Sequence, residues 1–250
     1  RYSPMPVQMV GPVLNKLWDT PDSSFAEKFK HTIEPFLTTQ RTSSIDNDSQ
    51  IVKLEGADYV VGGAAQYTYG VTNRIYAKAR TTTGRPALSR EIFNVAMSQS
   101  YYTDQRSAQY DLQYGSSFSG EAPSHFSAIA LAASVTPSPA VNATMRAEID
   151  ARYHSLRTIS ATGTYTWTTR VTASAGWSKR FLIEKLSGFD DPRYLTHYLN
   201  ASTTVHTQDN QVGGLYSFNF DVLNAALLQQ RISGYYNAQC CGISMEYQSY

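Results

Sequence analysis

From Thr144 to Trp177 apolar and polar residues take turns. Met145, Ala147, Ile149, Ala151 and Tyr153 are apolar or aromatic. Thr144, Arg146, Glu148, Asp150 and Arg152 between them are polar and mostly charged. Successive side chains of a strand point to opposite faces, so the pattern predicts a strand with one apolar and one charged face. A reversal is expected near His154 and Ser155. Alternation then resumes, with Ile159, Ala161, Tyr165 and Trp167 set against Ser160, Thr162, Thr164, Thr166 and Thr168. A third run sets Val171, Ala173, Ala175 and Trp177 against Arg170, Thr172, Ser174 and Ser178.

The same period recurs along the chain. Residues 1–28 hold Pro4, Pro6, Pro12 and Pro21 and read as a loop or a weak, edge-like strand entry. Phe29, His31, Ile33, Pro35 and Leu37 predict a strand, with Pro35 marking a bulge or an interrupted ladder. Thr42 to Asp48 reads as a polar loop. Ala65 to Ala79 predicts a long strand, ended by Thr81 to Leu88 with Gly84 and Pro86. Further apolar faces are Phe93 to Tyr101, Tyr110-Leu112-Tyr114, and Ile129 to Val135, the last ended by Pro137 and Pro139; Gly120 to Ser124 reads as a turn. Leu182 to Pro192 predicts a loop with a small helical turn. Leu199 to Val205 and Val212 to Phe220 flank a tight turn at Gln208-Asp209-Asn210. Asn224 to Gln230 is ambiguous, and Ile232 to Tyr236 and Cys241 to Tyr247 complete the series.

About a dozen strands at this spacing form an up-and-down antiparallel array in one domain, residues 1–250. A soluble β-sandwich alternates in the same way. Three features favour an all-β transmembrane barrel. Several strands reach ten residues or more. The apolar faces mix small residues with Tyr, Phe and Trp, where a packed core prefers Leu, Ile and Val. The charged row Arg146, Glu148, Asp150 and Arg152 suits a water-filled lumen.

Composition agrees. Mean hydropathy is −0.36 and no run of eighteen apolar residues occurs, which argues against helical spans but not against strands that face lipid with every second residue. Tyrosine is abundant, at 18 residues, and favours both pleated structure and membrane interfaces. The formal net charge of +1 makes no electrostatic case for nucleic acid. No glycine-rich phosphate loop, HExxH, CxxC or G-x-S-x-G motif is present, and the five histidines are scattered. No catalysis, cofactor or metal site is expected. The two cysteines, Cys240 and Cys241, are neighbours. Adjacent cysteines rarely bond to each other, so either both are free or each pairs with a cysteine outside this chain.

Specific residues then resemble a family. Lys30-His31-Thr32-Ile33-Glu34-Pro35, Leu54-Glu55-Gly56-Ala57-Asp58 and Tyr69-Gly70-Val71-Thr72-Asn73-Arg74 are similar to the barrel domain of the lipopolysaccharide-assembly protein family LptD. Arg90-Glu91, Ser98-Gln99-Ser100-Tyr101-Tyr102 and Tyr235-Tyr236-Asn237-Ala238-Gln239-Cys240-Cys241 fit the same pattern in order and approximate spacing. The resemblance implies a translocon of the bacterial cell outer membrane that inserts lipopolysaccharide into the outer leaflet. It implies a 26-strand barrel around an LptE-like lipoprotein plug, fed by a periplasmic Lpt bridge through an N-terminal jellyroll that this chain does not contain.

The resemblance also implies that Cys240 and Cys241 form disulfides to cysteines outside this chain. Arg146, Glu148, Asp150 and Arg152 would line the lumen, and Met145, Ile149, Tyr153, Tyr165 and Trp167 would meet lipid. The chain opens at Arg1 with no signal peptide, and on the family argument it is expected to be an internal part of a longer protein. The alternative is a general porin-type or other outer-membrane β-barrel channel.

Overall fold

The computed structural model describes residues 3–250 apart from 22, 47–51, 53–58, 80–87, 118–119, 121 and 239. The described residues form one antiparallel sheet of thirteen strands. They are β1 (Pro4–Val10), β2 (Leu14–Asp19), β3 (Lys28–Thr42), β4 (Ala65–Lys78), β5 (Ser89–Tyr102), β6 (Ile129–Ser138), β7 (Val141–Asp150), β8 (Ser155–Thr168), β9 (Val171–Arg180), β10 (His197–His206), β11 (Val212–Asp221), β12 (Ala226–Asn237) and β13 (Gly242–Ser249). From β3 onward each strand pairs with the next in sequence, and the sheet stays open, with β1 and β2 at one edge and β13 at the other. Strands β3, β4, β5 and β8 run 14 or 15 residues, well beyond the ~5–6 residues usual in soluble sheets.

Register carries the alternation across the sheet. Met97 pairs Leu131, Leu131 pairs Ala147, Ala161 pairs both Met145 and Trp177, and Leu199 pairs Trp177 and Phe220. These residues share one face, and a slip by one residue on any strand would send its whole apolar set to the other face. The opposite face is polar: Thr144 pairs Thr162, Thr164 pairs Ser174, and Ser202 pairs Ser174 and Ser217. On the apolar face large side chains stay exposed, among them Met97, Tyr165, Trp167, Leu199, Tyr216, Ile232 and Met245. Among the described residues the one cluster of mutually buried apolar side chains is small, Ile183, Leu186 and Phe189, in a loop. A sheet without a core behind its apolar face needs another solvent there.

Aromatics gather at both strand ends of that face. Tyr67, Tyr101 and Phe126 meet at one end, Tyr67 and Phe126 on either side of Tyr101 at 6.4 and 5.2 Å between centroids. Trp18 stacks on Phe29 at the other end, as does Phe25, and Tyr165 adjoins Trp167 there.

Several expectations change. The segment 1–28 supplies two strands that share β3: β2 pairs Lys28 to Ile33 and β1 pairs Phe36 to Thr42. Pro35 causes no bulge against β4, where Pro35 pairs Val71 without a register shift. The interrupted ladder lies on its other side, at the gap between β1 and β2, where its carbonyl accepts from Gly11 N at 2.8 Å. Residues 151–154 form a turn, so Ala151, Arg152 and Tyr153 leave the strand before the expected reversal, and His154 closes the turn at φ 49°. Tyr110, Leu112 and Tyr114 are not a strand. Tyr110 ends a 3-10 turn, Gln105–Tyr110, that Asp104 caps by accepting from Arg106 N, and Leu112 and Tyr114 follow it. Asn224 and Ala225 are turn and Ala226 to Gln230 strand. The Leu54–Asp58 motif, most of the Thr81–Leu88 break, residues 47–48 of the polar loop and residue 121 of the Gly120–Ser124 turn lie outside the described residues.

Candidate functional site: the polar face and its covering loops

The ends of the sheet differ. At one end the connections 43–64, 103–128 and 181–196 are long, beside the tight turns 151–154 and 222–225. At the other, 139–140, 169–170, 207–211 and 238–241 are all tight, and 20–27 and 79–88 are longer.

Two of the long connections fold back over the polar face. In 103–128, Asp111 accepts from Gln66 Nε2 at 2.8 Å and from the Tyr102 hydroxyl. Tyr114 meets Ser100 Oγ at 2.9 Å, and Ser100 meets Thr68 Oγ1 at 2.7 Å. Ser100 is fully buried beneath the loop, and burial pushes the Tyr114 phenol up. At the start of the loop the Arg106 guanidinium beside Asp104 holds its carboxyl below the ordinary range. Farther along, Glu148 on β7 takes the backbone N–H groups of both Gly115 and Ser116, the latter at 2.9 Å.

The second connection, 181–196, carries Ile183, Leu186 and Phe189. Phe189 has no exposed surface. Its ring lies under two guanidinium groups, Arg180 at 3.9 Å and Arg157 at 5.6 Å from the centroid. Arg180 Nη2 also donates to the Gly188 carbonyl, and Ser187 Oγ donates to Gly120 O at 3.0 Å, so the two loops touch.

Arg157 joins them. Its Nη2 and Nε donate to Asp150 Oδ2 at 2.7 and 3.1 Å, and its Nη1 donates to Ser116 Oγ at 3.0 Å. Arg157 reaches the polar face because β8 bulges against β7: Thr158 pairs Glu148 and Leu156 pairs Ile149, which leaves Arg157 as the extra residue. A bulge re-aims a side chain in this way. The sequence held a signal: Leu156 and Ile159 stand three apart where the period is two.

The four predicted lumen residues separate. Glu148 and Asp150 are buried, bonded to loop amides and to arginines. Arg152 lies in the turn 151–154 and closes on Asp150, with its N–H 2.9 Å from Oδ1 and its Nη2 3.0 Å from Oδ2. Arg146 is exposed on the polar face and makes no hydrogen bond or ion pair with any described residue. Cys240 and Cys241 lie in the tight turn between β12 and β13, both exposed and free, with sulfurs 4.0 Å apart. Elsewhere on the polar face Arg74 lies between Glu34 and Glu91, at 3.6 and 3.4 Å. Among the described residues no group of three or more His, Cys, Asp or Glu could hold a metal ion.

One long antiparallel sheet, apolar and girdled by aromatics on one side and polar on the other, defines the wall of an outer-membrane-type β-barrel. The LPS transport system D family, LptD, matches residues 44–184, more than half of the chain, and the chain belongs to that family. The family is an outer-membrane transport family, and the chain takes part in lipopolysaccharide transport. No curated protein matches the chain.

Proposed function

We propose that this chain is part of the barrel wall of a translocon in the bacterial outer membrane that inserts lipopolysaccharide into the outer leaflet. The apolar face meets lipid and the polar face lines the lumen. The observation that carries the reading is the two-faced sheet in a member of the LptD family. The open edges at β1 and β13 suit a sheet that continues into a larger barrel of 26 strands, since unpaired strand edges are not tolerated in lipid.

The ends of the sheet support an orientation. Outer-membrane barrels carry short turns on the periplasmic side and long loops outside. The connections 103–128 and 181–196 then cap the outer end, and the turn with Cys240 and Cys241 faces the periplasm. That side is oxidising. Both thiols are exposed, and in this reading each pairs with a cysteine of an N-terminal periplasmic domain. The polar face leaves room for a lipoprotein plug of the LptE kind, and a periplasmic Lpt bridge would deliver the glycolipid.

Non-reducing electrophoresis of the full-length protein tests the disulfide arrangement. Cys240→Ser combined with Cys241→Ser is expected to shift mobility to that of the reduced form. Unchanged mobility would remove the disulfide role. Capture of the protein from detergent extract is expected to bring a lipoprotein with it, and ion conductance by the protein alone, without such a partner, would favour the porin-type channel.

A further inference from the structure

The polar face holds a cavity that the loops leave open. It has a volume of about 710 Å³, within the range of small-ligand sites. Its floor is two adjacent rows of the sheet. Ala132, Arg146, Ser160 and Ser178 are successive register partners, and Ala130, Glu148, Thr158 and Arg180 form the next row. The two alanines make the space. Gln113 and Gly115 of one covering loop and Tyr194 and Thr196 of the other form its walls.

Two features mark this cavity. Several other charges of the polar face are engaged: Arg74 with two glutamates, Arg157 with Asp150, Arg231 with Glu246 at 2.7 Å, and Glu148 with the loop amides. Arg146 alone among these lies open to the cavity with no partner. Some facing hydroxyl pairs on this face bond to each other, Thr144 with Thr162 at 2.8 Å and Ser174 with Ser202 at 2.7 Å. Ser160 and Ser178 face each other in register and bond to nothing described.

We infer that this cavity is a subsite for an oxyanion carried on a sugar, with Arg146 as its anchor and Ser160 and Ser178 as further donors. The inference rests on the proposed transport of a glycolipid. A guanidinium offers planar paired donors that match phosphate or carboxylate oxygens. A cation would be repelled by Arg146, and an apolar ligand would leave the serine hydroxyls dry. The one carboxylate at the floor, Glu148, has both oxygens turned to the Gly115 and Ser116 amides.

Calorimetric titration of the full-length protein in detergent tests this. The ligands are core oligosaccharide released from lipopolysaccharide, the same oligosaccharide after dephosphorylation, and the same after carboxyl reduction. Arg146→Ala is expected to weaken binding of the untreated oligosaccharide by roughly tenfold, and Arg146→Lys by much less. Either dephosphorylation or carboxyl reduction is expected to produce the same loss in the wild type and no further loss in Arg146→Ala. Which treatment does so assigns the phosphate or the carboxylate. Heat-modified electrophoretic mobility verifies that the variants fold. Wild-type affinity in Arg146→Ala, or indifference to both treatments, overturns the inference. If the wild type binds no oligosaccharide while its depletion still keeps lipopolysaccharide from the cell surface, the subsite fails and the transport reading stands. If depletion leaves surface lipopolysaccharide unchanged, both fail.

Discussion

Arg157 Nη2 lies 2.7 Å from Asp150 Oδ2, and the two side chains are 2% and 1% exposed. One strand end thereby holds both covering loops. Arg157 also binds Ser116 of the first loop and stacks over Phe189 of the second, while Asp150 fixes the turn through Arg152. Removing one member of a buried pair leaves the other charged and unsolvated, which costs about 3–5 kcal/mol. Asp150→Ala is therefore expected to destabilise the folded barrel by that order, read as a lower unfolding midpoint in urea in the full-length protein. Asp150→Leu with Arg157→Met removes both charges and is expected to recover most of the loss. A double variant no better than the single one would show that the pair's role is not electrostatic.

Glu148 clamps loop 103–128 through two backbone amides. Glu148→Ala frees the N–H of exposed Gly115 and strands that of buried Ser116, the latter at about 1–3 kcal/mol. Limited proteolysis is expected to cut 103–128 faster in that variant while the strands stay protected. Glu148→Gln keeps one acceptor oxygen and should fall between. Equal cleavage in all three would mean that the Tyr102, Asp111 and Tyr114 bonds suffice to hold the loop.

Neighbours on β8 test the assignment of the faces. Ala161 lies on the apolar face between Met145 and Trp177, and Thr162 on the polar face between Thr144 and Gly176. Ala161→Arg is expected to cost about 2–4 kcal/mol, as a cation facing lipid near the bilayer middle does. Thr162→Arg should stay within about 0.5 kcal/mol. The comparison is made by urea unfolding in lipid vesicles. A larger effect at Thr162 would reverse the faces.

Gly70 sits where β-strand backbones and a ring crowd one spot. A Cβ there would fall on the Met97 carbonyl oxygen and on the Phe36 ring, and the oxygen is backbone that cannot step aside. Gly70→Ala is expected to destabilise by about 1–3 kcal/mol. Gly163→Ala is the matched control, with its nearest atom, Asn142 O, at 3.9 Å. Thermal unfolding of both variants makes the check, and a neutral Gly70→Ala would mean that β4 and β5 separate more easily than their register suggests.

The strands from Lys28 to Thr42 and from Ala65 onward were legible because alternation is local. Each residue's face follows from its parity, whatever the strand meets. The errors share a cause. Tyr110-Asp111-Leu112-Gln113-Tyr114 alternates as a strand does, but Asp104 caps a 3-10 turn and Asp111 and Tyr114 spend their polar ends on Gln66, Tyr102 and Ser100 of the sheet. Arg152 continues the charged row of β7 in sequence, yet the chain has already turned and brings it back onto Asp150. Of the predicted lumen residues, Arg146 is the one left open on the polar face. Nothing in its own neighbourhood of sequence distinguishes it from Arg152 or Arg157.

The sequence by itself determined the class: an antiparallel array with one apolar and one polar face, its aromatics near the strand ends. Parity, side-chain chemistry and turn residues settle these over a few positions. Only the tertiary structure decided which polar side chains are spent and which remain open. That depends on residues far apart in the chain, such as Ser116 meeting Arg157 and Ser187 meeting Gly120, and on the bulge that turns Arg157 inward. Partners brought together by loop closure leave no periodic trace, so the buried cluster at Asp150 and the open cavity at Arg146 appear only once the strands stand side by side.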